Sequence, residues 1–273
     1  MAKAGYRAIL DLSTTGGARF DDPMQKELYA FYQSQAVCLE DGDLDPVCAQ
    51  LKNSNMAVYL GIIERAKDRG GHSLYCSFVY IDAHGVIGSV HRKLMPTYEE
   101  RLVWATGDGH GLRTHKLGAF AVGGLNCWEN WMPLTRASLY GQGENLHVAC
   151  WPGSLRNTED ITPFIAKEGR SFAVSVSSLM RREDVPLDMP YGKDIKEALP
   201  EMPANGGSCI AAPDGSWVLA PETGRESLRF AVIDYDFVRR ERQMFDPSGH
   251  YSRPDVVSLN LEQTRQSCLH IKR

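Results

Sequence analysis

Apolar positions change their spacing several times along the 273-residue chain, and each change marks an element. Residues 23–36 repeat apolar side chains at three- and four-residue steps. Asp21 or Asp22 stands ahead as a cap and Pro23 falls in the first turn, so a helix is predicted there. Residues 45–52 predict a second, shorter helix. The period then becomes that of strands. Residues 57–63, 73–82 and 86–94 are short, rich in β-branched and aromatic side chains, and bounded by turns such as Asp82-Ala83-His84-Gly85. Further on, strands are predicted at 118–126, 145–151, 171–178 and 229–234, with a hairpin at 208–221 turning on Pro213-Asp214-Gly215. Helices are predicted at 133–141, at 158–169 with Thr158 as cap, and at 237–243. Strand pairs interleaved with helices argue for an α/β or α+β sandwich around a largely buried sheet.

Composition narrows the function. The chain is 43% hydrophobic and 23% charged, with a net charge of −4 and both signs mixed along its length. No nucleic-acid or anionic-membrane partner is suggested by that balance. The longest apolar runs are strand-sized, short of a membrane span. Residues 1–7 lack the apolar stretch and cleavage site of a secretory leader, which reads as a cytoplasmic protein. Seven cysteines are spread out with neither a C-x-x-C pair nor metal-ligand spacing, as expected of reduced thiols. No metal or organic cofactor is implied.

Two segments carry candidate chemistry. Cys127 follows the predicted strand 118–126 and precedes the helix at 133–141. A tight turn there can present the sulfur to a pocket beside backbone N–H groups that stabilise a developing anion. Gly123 and Gly124 allow close packing of the backbone. A buried, inert thiol is the ordinary alternative for any cysteine in such a setting. The second segment, His91 to Trp104, places Lys93 near a strand end, followed by Pro96 and by two carboxylates, Glu99 and Glu100. A lysine beside a thiol lowers its pKa and offers positive charge to a substrate nitrogen. A solvated lysine at a strand end is the plainer reading.

Together the two segments resemble the signature of the nitrilase superfamily. His91-Arg92-Lys93-Leu94-Met95-Pro96-Thr97, with Glu100-Arg101 and Trp104-Ala105-Thr106-Gly107-Asp108-Gly109 after it, is similar to the block carrying the catalytic lysine. Leu125-Asn126-Cys127-Trp128-Glu129-Asn130 is similar to the cysteine block, and a tryptophan and glutamate after the cysteine look like the nitrilase branch. The likeness runs through Trp151-Pro152-Gly153-Ser154 to Gly249-His250-Tyr251-Ser252-Arg253-Pro254-Asp255, and so over roughly 17–260. It implies a four-layer α-β-β-α sandwich and a thioimidate route from nitrile to carboxylic acid and ammonia. Cys127 is then the nucleophile, and Lys93 with the Trp128 N–H stabilises charge on nitrogen. Glu100 holds substrate and lysine, and Glu129 orders the loop. His91 reads as a satisfied strand histidine. Tyr98, Trp104, Trp128, Trp131 and Met132 are candidate pocket walls, although such side chains are core residues as a rule. The resemblance also implies a small-molecule nitrile or amide as substrate and a homo-oligomer, a dimer or a spiral.

The sequence departs from the pattern at one point. The family's general base, a glutamate in a Phe-Pro-Glu block well before the lysine, has no counterpart here. Asp11 is the candidate substitute, outside any Pro-Glu context, and Glu27 lies in a helix. The chain therefore reads as a nitrilase lacking the first strand, helix and strand of the sandwich, with an atypical segment at 1–16, a hydrolase domain at 17–260 and a tail at 261–273. Alternatives are an amidase or a cyanide or nitrile hydratase of the same superfamily, and an inactive member that binds ligands or assembles with homologues.

Overall fold

The computed structural model describes residues 20–269. Helix α1 (Pro23–Ser34) starts because the Asp22 carboxylate accepts the N–H groups of Met24 and Gln25 and Pro23 occupies the first turn. It buries Leu28 and Tyr32, four residues apart, and a short α2 (Asp45–Leu51) follows. Next comes an antiparallel sheet of β1 (Val58–Arg65), β2 (Leu74–Ile81) and β3 (Ile87–Arg92). The rest of the chain builds a second sheet from β4 (His115–Leu117), β5 (Phe120–Asn126), β6 (Leu146–Trp151), β7 (Phe172–Ser177), β8 (Leu179–Met180), β9 (Ala204–Ala211) and β10 (Trp217–Thr223). Helix α3 (Pro133–Tyr140) joins β5 to β6 and α4 (Ile161–Gly169) joins β6 to β7, which makes those three strands parallel. Helices α5 (Gly192–Ala198) and α6 (Tyr235–Arg242) complete the described elements.

The two sheets face each other, with helices outside both. Between the sheets, Tyr80 and Tyr59 pack with Val122, Val148 and Val174. Leu44 and Leu51, at the ends of α2, cover Ile62, Val79 and Ile81 on the outer face of the first sheet. Ile161, Ile165 and Ala166 of α4 cover Ala149, Trp151 and Ala173 of the second. Burying one such isoleucine contributes about 1.5–3 kcal/mol. A nine-residue helix could not stand alone in water, so packing rather than propensity holds α4 in place. The chain after α6 returns to β3. There Leu261 packs with Leu112, and Arg265 donates to the Val90 carbonyl and pairs with Asp108. The four-layer α-β-β-α architecture is the one expected.

Two elements differ from expectation. Residues 229–234 are not a strand, although Arg229 is fixed by donating to the carbonyls of Ser208 and Ala220. The alternation is present, with Leu228, Phe230 and Val232 79–99% exposed, but a strand also needs a neighbour to share its hydrogen bonds. Helix α4 begins at Ile161, not at Thr158, whose hydroxyl donates to the Leu155 carbonyl instead of capping. The sequence pattern also left out α5 and the two-residue β8. Among the described residues, one isolated bridge, from Val37, lies on the outer edge of β1. Among the described residues no helix is long and apolar enough to cross a membrane.

Gly124 lies where the sheets touch. A Cβ there would stand 2.9 Å from Tyr59 Cε1 and 2.9 Å from Phe78 Cε1, inside van der Waals contact on both sides. Gly124→Ala is expected to destabilise the fold by about 1–3 kcal/mol through overpacking. A denaturant midpoint unchanged from the parent protein would show that the sheets separate there at no cost.

Candidate active site

Lys93 continues β3. Its N–H donates to the Cys76 carbonyl, its own carbonyl accepts from Gly107, and its side chain is 1% exposed. The ammonium reaches the Thr97 hydroxyl at 3.1 Å and contacts a Glu100 carboxylate oxygen. That carboxylate also accepts the Thr97 N–H at 2.6 Å, at the head of a 3-10 turn over Tyr98–Leu102. Glu100 therefore reaches Lys93, seven residues away, because Pro96 and the turn fold the chain back on the strand end.

Cys127 follows the last residue of β5 and opens a 3-10 turn, Cys127–Trp131. Its φ is 51°, a left-handed conformation that costs a non-glycine residue roughly 1–3 kcal/mol. Two side chains hold the strained turn. Glu129 accepts from the N–H of Asn126 at 2.9 Å, from the N–H of Leu94 at 2.7 Å, and from His91 Nε2. Asn130 Nδ2 donates to the Cys127 carbonyl at 2.9 Å and to the Leu125 carbonyl at 3.3 Å. Glu129 thus joins the residue after Lys93 to the residue before Cys127.

The electrostatics follow from burial and neighbours. Burial pushes the Cys127 thiol up to about 11, against the pull of Lys93 and the Trp128 N–H, which favour the thiolate, while Glu100 pushes it further up. Burial works to lower Lys93, but Cys127 and Glu100 outweigh it and hold the ammonium above its ordinary range. For Glu129, burial opposes ionisation, yet His91 and the amides of Leu94 and Asn126 keep the carboxyl below the usual range. The arrangement can present a thiol to an electrophilic carbon with a fixed cation and an N–H beside it.

The structure brings Lys93, Glu100, Cys127 and the Trp128 N–H together, and places Glu129 beneath them as a backbone clamp. Trp104 is 8% exposed and belongs to the core with Leu28 and Ile63, so it is not a pocket wall. Tyr98, Trp128, Trp131 and Met132 are exposed, with the rings of Trp128 and Trp131 6.5 Å apart. Glu27 meets the Tyr191 hydroxyl on the surface. Asp11 lies outside the described residues. Sequence reasoning missed Asn130, Thr97 and His91 as supports for the turn and the strand end. Asn130 could have been found, because a carboxamide three residues past a strained turn is placed to bond its carbonyl.

Known proteins place the chain. The carbon–nitrogen hydrolase family model matches residues 11–243, and the chain belongs to that family. It is 33% identical to an aliphatic nitrilase of Sinorhizobium fredii (strain HH103), over 97% of this chain and 83% of that one. It is also 33% identical to the bifunctional nitrilase/nitrile hydratase NIT4A of Lupinus angustifolius, over 86% and 67%. Among solved structures, a carbon-nitrogen hydrolase from Helicobacter pylori G27 superposes with a TM-score of 0.60 at 18% identity, over 79% of this chain and 74% of that one. An amidase from Nesterenkonia sp. AN1 gives 0.57 at 14% identity, over 89% of each chain. The structures speak to the fold, and the sequence relatives make the chain a nitrilase-type hydrolase.

A raised thiol predicts a pH dependence. Alkylation needs the thiolate, so the Cys127 rate should climb about tenfold per pH unit from 7 towards 10. Peptide-resolved mass spectrometry with iodoacetamide checks this, and Lys93→Met should be slower at every pH. A plateau below pH 8 would contradict the balance of burial over Lys93.

Proposed function

We propose that this carbon–nitrogen hydrolase converts a nitrile to its carboxylic acid and ammonia, with Cys127 as nucleophile. The observation that carries the reading is the convergence of the Lys93 ammonium, the Glu100 carboxylate and the Trp128 N–H on one buried thiol. Sulfur adds to the nitrile carbon and the thiol proton ends on nitrogen, which gives a thioimidate. Lys93 and the Trp128 N–H stabilise the charge that builds on nitrogen. One water adds to the thioimidate carbon and ammonia leaves, forming a thioester. A second water cleaves the thioester and restores the thiol. Glu100 orients Lys93 and is the carboxylate whose charge bears on both Lys93 and Cys127. In this chain it carries the proton transfers.

Amide hydrolysis would use the same thioester. The nitrile reading is favoured because the two relatives at 33% identity are an aliphatic nitrilase and a bifunctional nitrilase/nitrile hydratase, while the amidase likeness is one of fold. The exposed apolar row of Leu228, Phe230 and Val232 supports a self-associating protein. Seven free thiols fit a reducing cytoplasm.

Incubation with aliphatic and aromatic nitriles should release ammonia and acid in equal amounts. Cys127→Ala should abolish release while keeping its fold, and Glu100→Gln should lower kcat by about 10²–10⁴-fold. Amide as the sole product would reassign the chain as a hydratase. Undiminished turnover by Cys127→Ala would refute the nucleophile.

A further inference from the structure

On the helix side of β5 and β6, beneath the nucleophile turn, lies a line of buried polar side chains that the proposed chemistry leaves unused. Glu144, His147 and Asn130 are each 0% exposed. His147 Nδ1 faces both Glu144 oxygens, at 3.0 and 3.1 Å, and its Nε2 stands 2.7 Å from Asn130 Oδ1. Gly123, paired with His147 across the parallel ladder, makes room for this arrangement: a Cβ there would fall 2.1 Å from Glu144 Oε1. Arg136, itself bonded to Glu168, donates to the Asn130 carbonyl, and Arg242 donates to the Glu144 carbonyl. The line is therefore fixed at both ends.

Hydrogen-bond logic orients the Asn130 carboxamide. Asn130 Nδ2 faces the Cys127 and Leu125 carbonyls, both acceptors, so Oδ1 must be the atom turned to His147. Nε2 of His147 therefore donates to that oxygen, and Nδ1 is held by the Glu144 carboxyl group. The consequence reaches the reacting atoms through one planar unit. The Cys127 carbonyl and the Trp128 N–H belong to the same trans peptide and point in opposite directions. Anchoring the carbonyl oxygen on Asn130 aims the N–H, and that N–H, with Lys93, favours the thiolate at Cys127.

We propose that Glu144, His147 and Asn130 are positioning residues that set the plane of the 127–128 peptide and so aim the Trp128 N–H at the reacting sulfur and at the charge forming beside it. The inference rests on Cys127 being the nucleophile and adds to it a buried support for the anion-stabilising donor. Glu144 fixes the His147 ring, His147 fixes the Asn130 carboxamide, and Asn130 holds Cys127 in its left-handed conformation.

The test is Asn130→Asp, which keeps the shape and the oxygen facing His147 but removes the donor to the Cys127 carbonyl. A donor that is mis-aimed loses charge stabilisation in the transition state only. kcat for nitrile hydrolysis should therefore fall about ten- to a hundredfold while KM stays within about twofold. His147→Gln, which retains one donor, should fall between that variant and the parent. The parent protein labelled with ¹⁵N-histidine should show a proton on Nε2 of His147. A folded Asn130→Asp with parental kcat, or equal losses through KM, overturns the proposal. So does a His147 whose Nε2 carries no proton, which decides the matter even if neither variant folds. Turnover surviving in Cys127→Ala would refute the nucleophile instead, whereas an inactive Cys127→Ala beside a fully active Asn130→Asp would remove the positioning line alone.

Discussion

Glu129 is 1% exposed, and its donors come from both sheets. His91 Nε2 and the Leu94 N–H belong to β3 and its continuation in the first sheet, and the Asn126 N–H to the last residue of β5 in the second. A carboxylate taken out of water costs several kcal/mol unless donors replace the solvent, and here three do. The site exists because of that exchange. Lys93 and Cys127 are each one residue from a group that Glu129 holds, so the separation of ammonium and thiol is fixed by one buried anion. If Glu129 were removed, two backbone N–H groups and a buried imidazole would lose their partner at once, and the sheets would lose their polar contact at the site.

The rest of the local structure follows from holding the two strand ends so close. Gly124 turns its missing side chain to the first sheet and lets Tyr59 and Phe78 approach, while Gly123 turns to the helix layer and admits Glu144. The turn between these layers is strained, with Cys127 at φ 51°. Asn130 from below and Glu129 from the side supply the hydrogen bonds that hold it. The thiol that results is buried and strongly protonated, so its reactivity depends on the fixed charges around it.

Much of the fold could be read from periodicity because most elements bury one face. Helix α1, the hairpin strands β1 to β3 and the parallel strands β5 to β7 lie close to their expected bounds, as does β9 with β10. Residues 229–234 carry the same alternation, yet pairing depends on a neighbour that no local pattern encodes. Trp104 shows the same limit, since an aromatic beside a motif is equally suited to a core or to a pocket. Resemblance drew attention to Cys127, Lys93 and Glu100, and spacing alone would have left them a buried thiol and a solvated charge run. The line from Glu144 through His147 to Asn130 was illegible because, although Glu144 and His147 lie three residues apart, Asn130 meets His147 only when β6 pairs with β5.

On the proposed route, Cys127 and none of the other six cysteines bonds to the substrate carbon. Rapid acid quenching during nitrile turnover, followed by digestion and mass spectrometry, tests it directly. A thioimidate or thioester mass should appear on the peptide containing Cys127 alone, growing in before product and disappearing as nitrile is exhausted. Turnover with that peptide unmodified throughout, or with the adduct on another cysteine, would contradict it.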